Sequence, residues 1–291
     1  GAWSLCSQPA RDATGREIAT TTLTVGLPPA GGRDPGDQAL LARDSKSSKL
    51  YLIWHDHRYE ITAEATVLEG LAMRSEPVVM VGPAWLNALP GGESIGTFPL
   101  ANRGQPSSAV ANARIGQVYV VETQDRSQQF YLADAGRLTP VTPLQAEIVL
   151  ADPATRGAYP GADPSALPLA ASVAANAPRG EPIATGPDQP PQKRPTIARR
   201  ADDRPAVCAA YQPGANEPTV LIEAGIPPVA GPVATTEQTS NGTPLADRVL
   251  VEPGFGALVV AVPSPDTPGG IVNLVTDLGI RYPLASREVA G

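Results

Sequence analysis

Aromatic residues are scarce in this chain, at 4% of 291 residues, and only three of them are phenylalanine. Interior packing therefore falls to Val, Leu, Ile and Ala, within a hydrophobic content of 42% that argues for a folded protein. Lysine is scarcer still, occurring only as Lys46, Lys49 and Lys193. Histidine appears twice, both times in His55-Asp56-His57. No apolar run approaches the roughly 20 residues that a membrane-spanning helix needs. Positive charge is in deficit: 22 Lys and Arg face 29 Asp and Glu, a formal net charge of -7. That balance argues against a nucleic-acid partner, which wants a basic face, and against a polybasic membrane-surface module. What is present reads as soluble. The start at Gly1-Ala2-Trp3 shows neither an initiator methionine nor a signal peptide, and it leaves an upstream anchor open.

Cysteine is limited to Cys6 and Cys208. Neither lies in a CxxC or a Cys/His cluster, so a zinc site is disfavoured. Two readings stay open on the residues alone. They are two unrelated buried thiols, or one disulfide whose long loop would contribute on the order of 5 kcal/mol in the chain-entropy picture and imply an oxidising compartment.

What the chain has in quantity is glycine and proline, 28 and 33 residues, about a fifth of the total. That is too much for a helical bundle or a parallel α/β enzyme and predicts short strands, short helices and many turns. Lys49–Trp54 reads as a strand, His55-Asp56-His57 as a turn and Arg58–Ile61 as the return. Thr62 is placed to cap a helix through Leu71, and Pro83–Pro90 reads as a second short helix. The order then recurs. Gln117–Val121 and Gln129–Leu132 read as strands, Asp134-Ala135-Gly136 as a turn and Leu138–Val141 as the return. Thr142-Pro143 opens a helix through Leu150, with another predicted at Ser165–Ala175. Tyr51 to Tyr59 and Tyr131 to Thr139 each span eight residues, which supports a repeat. A third copy begins at Ile271–Thr276, turns at Asp277-Leu278-Gly279, returns through Ile280–Leu284 and starts a helix at Ala285–Val289. Residues 178–205 read as a linker or an extended strap. The apolar runs at Val207–Tyr211, Thr219–Ile222, Arg248–Val251 and Ala257–Val262 read as strands of a separate β-rich core, with which Thr20–Val25 can pair.

These segments resemble the EccB component of type VII (ESX) secretion systems. The resemblance is carried by Trp3-Ser4-Leu5-Cys6, by Leu50–Trp54 with its return strand, and most specifically by Gln129–Gly136 followed by Thr142–Ala146. Ala206-Val207-Cys208 and Leu274–Leu284 complete it, in consistent order over nearly the whole chain. The resemblance implies an α+β, elongated fold with a central β-rich core and repeated hairpin–helix modules. It implies a disulfide between Cys6 and Cys208. It also implies one membrane helix ahead of a periplasmic part, hence a single-pass inner-membrane location, with other ESX membrane components (EccC, EccD and EccE type) and further copies of itself as partners. The family has four modules. This chain shows two, a truncated third and no placeable fourth. The expected division is an N-terminal segment at 1–38, modules at 39–105 and 106–178, a Pro-rich linker at 179–205, a core at 206–262 and a partial module at 263–291.

Family members are described as ATPases, so ATP with Mg²⁺ enters on the resemblance alone. The residues do not supply the chemistry. Gly91-Gly92-Glu93-Ser94-Ile95-Gly96-Thr97 has glycines without the lysine of a phosphate-binding loop, and reads as a turn. A zinc site at His55 and His57 would need at least one more ligand from elsewhere, and the pair reads better as solvated turn residues. There is no G-x-S-x-G. Tyr51, Trp54, Tyr59, Trp85 and Tyr131 are candidates for a sugar-stacking surface, but read better as filling small module cores. The expected function is that of a structural subunit of a secretion complex, without catalytic, cofactor or metal residues. The alternatives are an ATPase and a cell-wall (peptidoglycan)-binding protein.

Overall fold

The structure is a computed structural model that describes residues 2–183, 188–199, 206–215, 217–228, 231–236, 238–261 and 270–285. It is α+β and begins with a long hairpin, β1 (Trp3–Arg11) and β2 (Glu17–Val25), followed by a short strand, β3 (Ala30–Arg33). A first unit comprises β4 (Leu40–Asp44), β5 (Leu50–Trp54), β6 (His57–Ile61), α1 (Glu64–Gly70), β7 (Val78–Val81) and α2 (Pro83–Ala88). A second comprises β8 (Val118–Glu122), β9 (Gln128–Ala133), β10 (Leu138–Val141), α3 (Pro143–Ala151), β11 (Leu167–Pro168) and α4 (Ala171–Asn176). The chain then forms β12 (Ala206–Tyr211), β13 (Thr219–Gly225), β14 (Val233–Ala234) and β15 (Arg248–Val251). A last meander follows, β16 (Gly256–Ala261), β17 (Ile271–Thr276) and β18 (Arg281–Pro283).

The two ends of the excursion through the units meet in one seven-stranded sheet, ordered β14-β15-β2-β1-β12-β13-β3. Within it β1 pairs antiparallel with β12, and Cys6 stands directly opposite Cys208. The predicted run Thr20–Val25 lies in β2, paired on one side with β1 and on the other with β15 in parallel. The strand read at Ala257–Val262 belongs elsewhere: β16 pairs with β17 in a separate three-stranded sheet, ordered β16-β17-β18. An apolar run without period does not say which sheet it joins.

The two units have one topology. Their sheets are ordered β6-β5-β4-β7 and β10-β9-β8-β11. In each, three strands run as an antiparallel meander, a helix follows, and the fourth strand returns parallel to the first. The eight-residue spacing carries through to the pairing: Leu52 faces Tyr59 and Leu132 faces Thr139. The two-residue turn of the first unit puts both His55 (φ 45) and Asp56 (φ 62) in the left-handed region, as this tight hairpin requires. The third meander has a three-residue turn, closed by Thr276 N–H donating to the Ile280 carbonyl with Gly279 at φ 72, so its pairing is offset by one residue. The helix read from Ala285 onward falls almost entirely outside the described residues.

The repeat extends further than the hairpins show. After α2, residues 90–95 run along the open edge of β6. Arg58 N–H donates to the Pro90 carbonyl, and Gly92 N–H donates to the Arg58 carbonyl. After α4 the same pattern returns, with Leu138 N–H donating to Pro178 and Gly180 N–H donating to Leu138. Both glycines answer one steric demand. A Cβ at Gly92 would collide with the Tyr59 ring, and a Cβ at Gly180 with the Thr139 hydroxyl, the residue equivalent to Tyr59.

Helix ends differ from the sequence reading in two places. Thr142 caps α3 as expected, in a reciprocal capping box with Gln145. In the first unit the N-cap is Ala63, at φ 48, with no side-chain cap, and Thr62 instead donates its hydroxyl to the Ile95 carbonyl. The expected helix at Ser165–Ala175 is shorter and later, because Leu167-Pro168 completes the parallel strand beside β8. Gly92→Ala and Gly180→Ala are each expected to lower unfolding free energy by about 1–3 kcal/mol through overpacking. Equilibrium denaturation of both variants checks this, and equal wild-type midpoints would remove the shared-edge explanation.

Candidate functional site

Gly91–Thr97 is the edge-covering segment just described, and its Ile95 side chain is buried in a cluster with Leu144 and Ile148. Its glycines let a chain pass close to Tyr59 and Thr62. They do not form a ring of outward backbone N–H groups, since Gly92 and Ile95 N–H donate to Arg58 and Glu60 carbonyls and Glu93 N–H donates to Asp188. A small cavity of about 210 Å³ lies beside this segment, lined by Ile95, Phe98, Leu144, Ile148 and Pro190 among others. It contains neither lysine nor arginine.

Of the five candidate rings, Tyr51, Tyr59, Trp85 and Tyr131 are buried and Trp54 is half-buried. These rings pack in the cores, which is the reading the sequence favoured over a sugar-stacking surface. Burial pushes the Tyr51 and Tyr59 hydroxyls up in pKa, with nearby Glu60 adding to the effect at Tyr51 and Asp188 at Tyr59. The same cause acts most strongly on Tyr159, which is pushed up to about 12 while its hydroxyl accepts from Val118 N–H at 2.7 Å. None of these hydroxyls is poised as an acid or base at neutral pH.

The His-Asp-His turn is a junction. His55 stacks on Trp54 with ring centroids 3.7 Å apart, and its Nε2 lies 3.0 Å from Asp37 Oδ1. His57 donates from Nδ1 to the His55 carbonyl at 2.8 Å. Asp56 reaches across to the seven-stranded sheet and accepts from Val220 N–H at 2.6 Å. Burial raises the Asp56 pKa, the Val220 hydrogen bond opposes this, and Asp34 adds to it. Among the described residues, no group of three or more His, Cys, Asp and Glu is arranged to hold a metal ion.

What these elements build is an interface. One face of the first unit (Leu40, Tyr51, Ile53, Val79, Val81, Trp85) packs on Val207, Ala209, Val220 and Ile222 of the seven-stranded sheet. The approach is close enough that Gly82 N–H donates to Ser7 Oγ at 3.0 Å, and the Tyr211 hydroxyl donates to the Ala88 carbonyl at 2.6 Å. The unit's other face (Leu41, Leu50, Leu52, Ile61) packs on α1 and on Leu144 and Ile148 of α3 in the second unit. Sequence reasoning missed this interface, because contacts between residues so far apart leave no local pattern.

Cys6 and Cys208 form a disulfide with a Cα–Cα distance of 4.0 Å, and both are fully buried. A Cys6→Ser/Cys208→Ser variant is expected to lose about 2–5 kcal/mol of unfolding free energy. Asp56 gives a pH test. Its raised pKa means that the charged form costs the fold above that pKa, while below 3.8 the carboxyl is neutral in both states. Asp56→Asn keeps the acceptor and drops the charge. It should be more stable than wild type at pH 7, with the difference vanishing towards pH 3 in denaturation at both values.

Comparison with known proteins agrees with this construction. The family described as "Type VII secretion system ESX-1, transport TM domain B" matches residues 1–291. Solved structures share the fold. They include a chain of the periplasmic assembly from the ESX-5 inner membrane complex (TM-score 0.65, 22% identity, 99% of this chain and 70% of that one). The intact ESX-5 inner membrane complex gives TM-score 0.63 at 21% identity, over 99% of this chain and 58% of its counterpart. The EccB3 dimer from the ESX-3 core complex gives 0.60 at 19% identity, over 99% and 72%. No helix of the described residues is long and apolar enough to cross a membrane. With the family matched over its whole length, the chain belongs to the EccB family of type VII secretion systems.

Proposed function

We propose that this chain is a periplasmic portion of a membrane-anchored structural subunit of a type VII secretion complex, supplying assembly surfaces rather than a reaction. The observation that carries the reading is how its polar and aromatic residues are used. Tyr51, Tyr59 and Tyr131, the His-Asp-His turn and the glycine segment are all spent on internal packing and on joining one unit to the next. The family match supports the secretion assignment. The neighbouring structures come from an inner membrane complex and a dimer, which supports other ESX components and further copies of this chain as partners. The described cavity at the glycine segment lacks a cation for phosphate charge, which weighs against the ATPase alternative. Burial of the Tyr51, Tyr59, Trp85 and Tyr131 rings weighs against sugar stacking.

Purified protein is expected to hydrolyse ATP no faster than buffer carrying trace contaminants, and to co-purify with ESX membrane components when expressed with them. ATP turnover abolished by one point substitution in this chain would replace the structural reading. So would failure of the full-length subunit to enter the complex only when a residue lining the cavity at the glycine segment, and no packing residue, is altered.

A further inference from the structure

Residues 178–183 and 188–199 return past both units towards the seven-stranded sheet, and their hydrogen bonds are distributed along the whole route. Arg179 and its neighbours close β10 through Leu138. Leu144 N–H donates to the Gln192 carbonyl at 3.0 Å. Leu144 lies in the first turn of α3, where backbone N–H groups have no partner within the helix. Pro143 has no N–H, Gln145 N–H is taken by Thr142 Oγ1 and Ala146 N–H by the Thr142 carbonyl, so this carbonyl satisfies the donor that remains in that turn. On the first unit, Glu93 N–H donates to the Asp188 carbonyl at 3.0 Å, and Ala39 exchanges two 2.8 Å bonds, with the Thr196 carbonyl and Ala198 N–H. At the core end, Arg33 Nη2 donates to the Arg199 carbonyl at 3.1 Å. Ile197 packs against the core shared by the two units, and Ala198 is buried in the one shared by the first unit and the sheet.

Beneath this strap the two units meet at a tight seam. A Cβ at Gly70, the last residue of α1, would lie 2.8 Å from the Glu147 carbonyl and 3.0 Å from Ile148 Cα of α3. Val67 and Leu71 share one buried cluster with Leu144 and Ile148.

We propose that the strap is a latch that fixes the angle between the two units and the sheet, so that the three move as one body while it is seated. Seating the strap pairs the Leu144 N–H that the Thr142 capping box leaves open and packs Ile197 against the core that α1 and α3 share. Peeling it from Ala39, Glu93 and Leu144 leaves the Leu144 N–H unpaired and the second unit held by the Gly70 seam and the connection after α2. A conformational change in this arm therefore has to begin with the strap. The inference concerns the fold and stands whether or not the chain serves in secretion.

The test places nitroxides, carried by unnatural amino acids, at exposed Arg16 and Gln128, leaving the native disulfide in place. Pulsed electron resonance on the oxidised protein should give a single narrow distance distribution. Ile197→Asp should at least double its width, while amide exchange in β1 and β12 stays slow. Glu93→Pro, which removes the donor to Asp188 at an exposed position, should broaden it to a lesser degree and keeps the test available if Ile197→Asp does not fold. A wild-type distribution as broad as that of the variants overturns the proposal. So does an unchanged narrow distribution in a folded variant that has lost the strap contact.

Discussion

Pairing of β1 with β12 is the constraint on which the remaining structure depends. It joins residues at the beginning of the chain to residues some two hundred positions later, and every element of both units lies in the loop so closed. Such a contact is costly to form, because loop closure is paid before non-local pairing returns anything. The disulfide removes most of that cost once made, by restricting the unfolded chain. The sheet then offers Val207, Ala209, Val220 and Ile222 as a surface, and the first unit docks on it through Tyr51, Ile53 and Trp85. The second unit docks on the first through α1 and α3. Order therefore spreads outward from one strand pair.

The same logic explains why the last meander differs. Leu258, Val260 and Tyr282 stand on one face of β16–β18 and are each about half exposed, whereas the corresponding sheets of the first two units are covered on both faces. Its described tethers to the rest include Gly254 N–H donating to Asp277 and the close approach of Gly279 to Val233 of β14. Low contact density is the physical content of low local stability.

Much of this was legible in the residues. The hairpins follow from alternation and turn chemistry, and the equal spacing of Tyr51–Tyr59 and Tyr131–Thr139 became equal register, because pairing is fixed by the turn. Thr142-Pro143 announced its helix through a capping box. What was not legible is non-local. Thr62 looks like a cap in isolation, but its hydroxyl is claimed by Ile95, thirty-three residues on. Gly92 and Gly180 look like loop residues until the strand edge beside them is seen. Tyr51 and Trp85 read as core-filling from the residues, but that the seven-stranded sheet is what covers them was not legible. Cys6 and Cys208 could be paired only through the family resemblance, since their spacing is silent about it.

The account is tested most directly by native-state hydrogen exchange read residue by residue on the oxidised protein. If the β1–β12 pair organises the fold, amides of Leu5, Ser7, Val207 and Ala209 will be among the slowest to exchange, both units will open at lower free energy, and β16–β18 at the lowest. Faster exchange in β1 and β12 than in the sheets of the two units would contradict it, and would mean that the units fold independently and merely bring the chain's distant segments together.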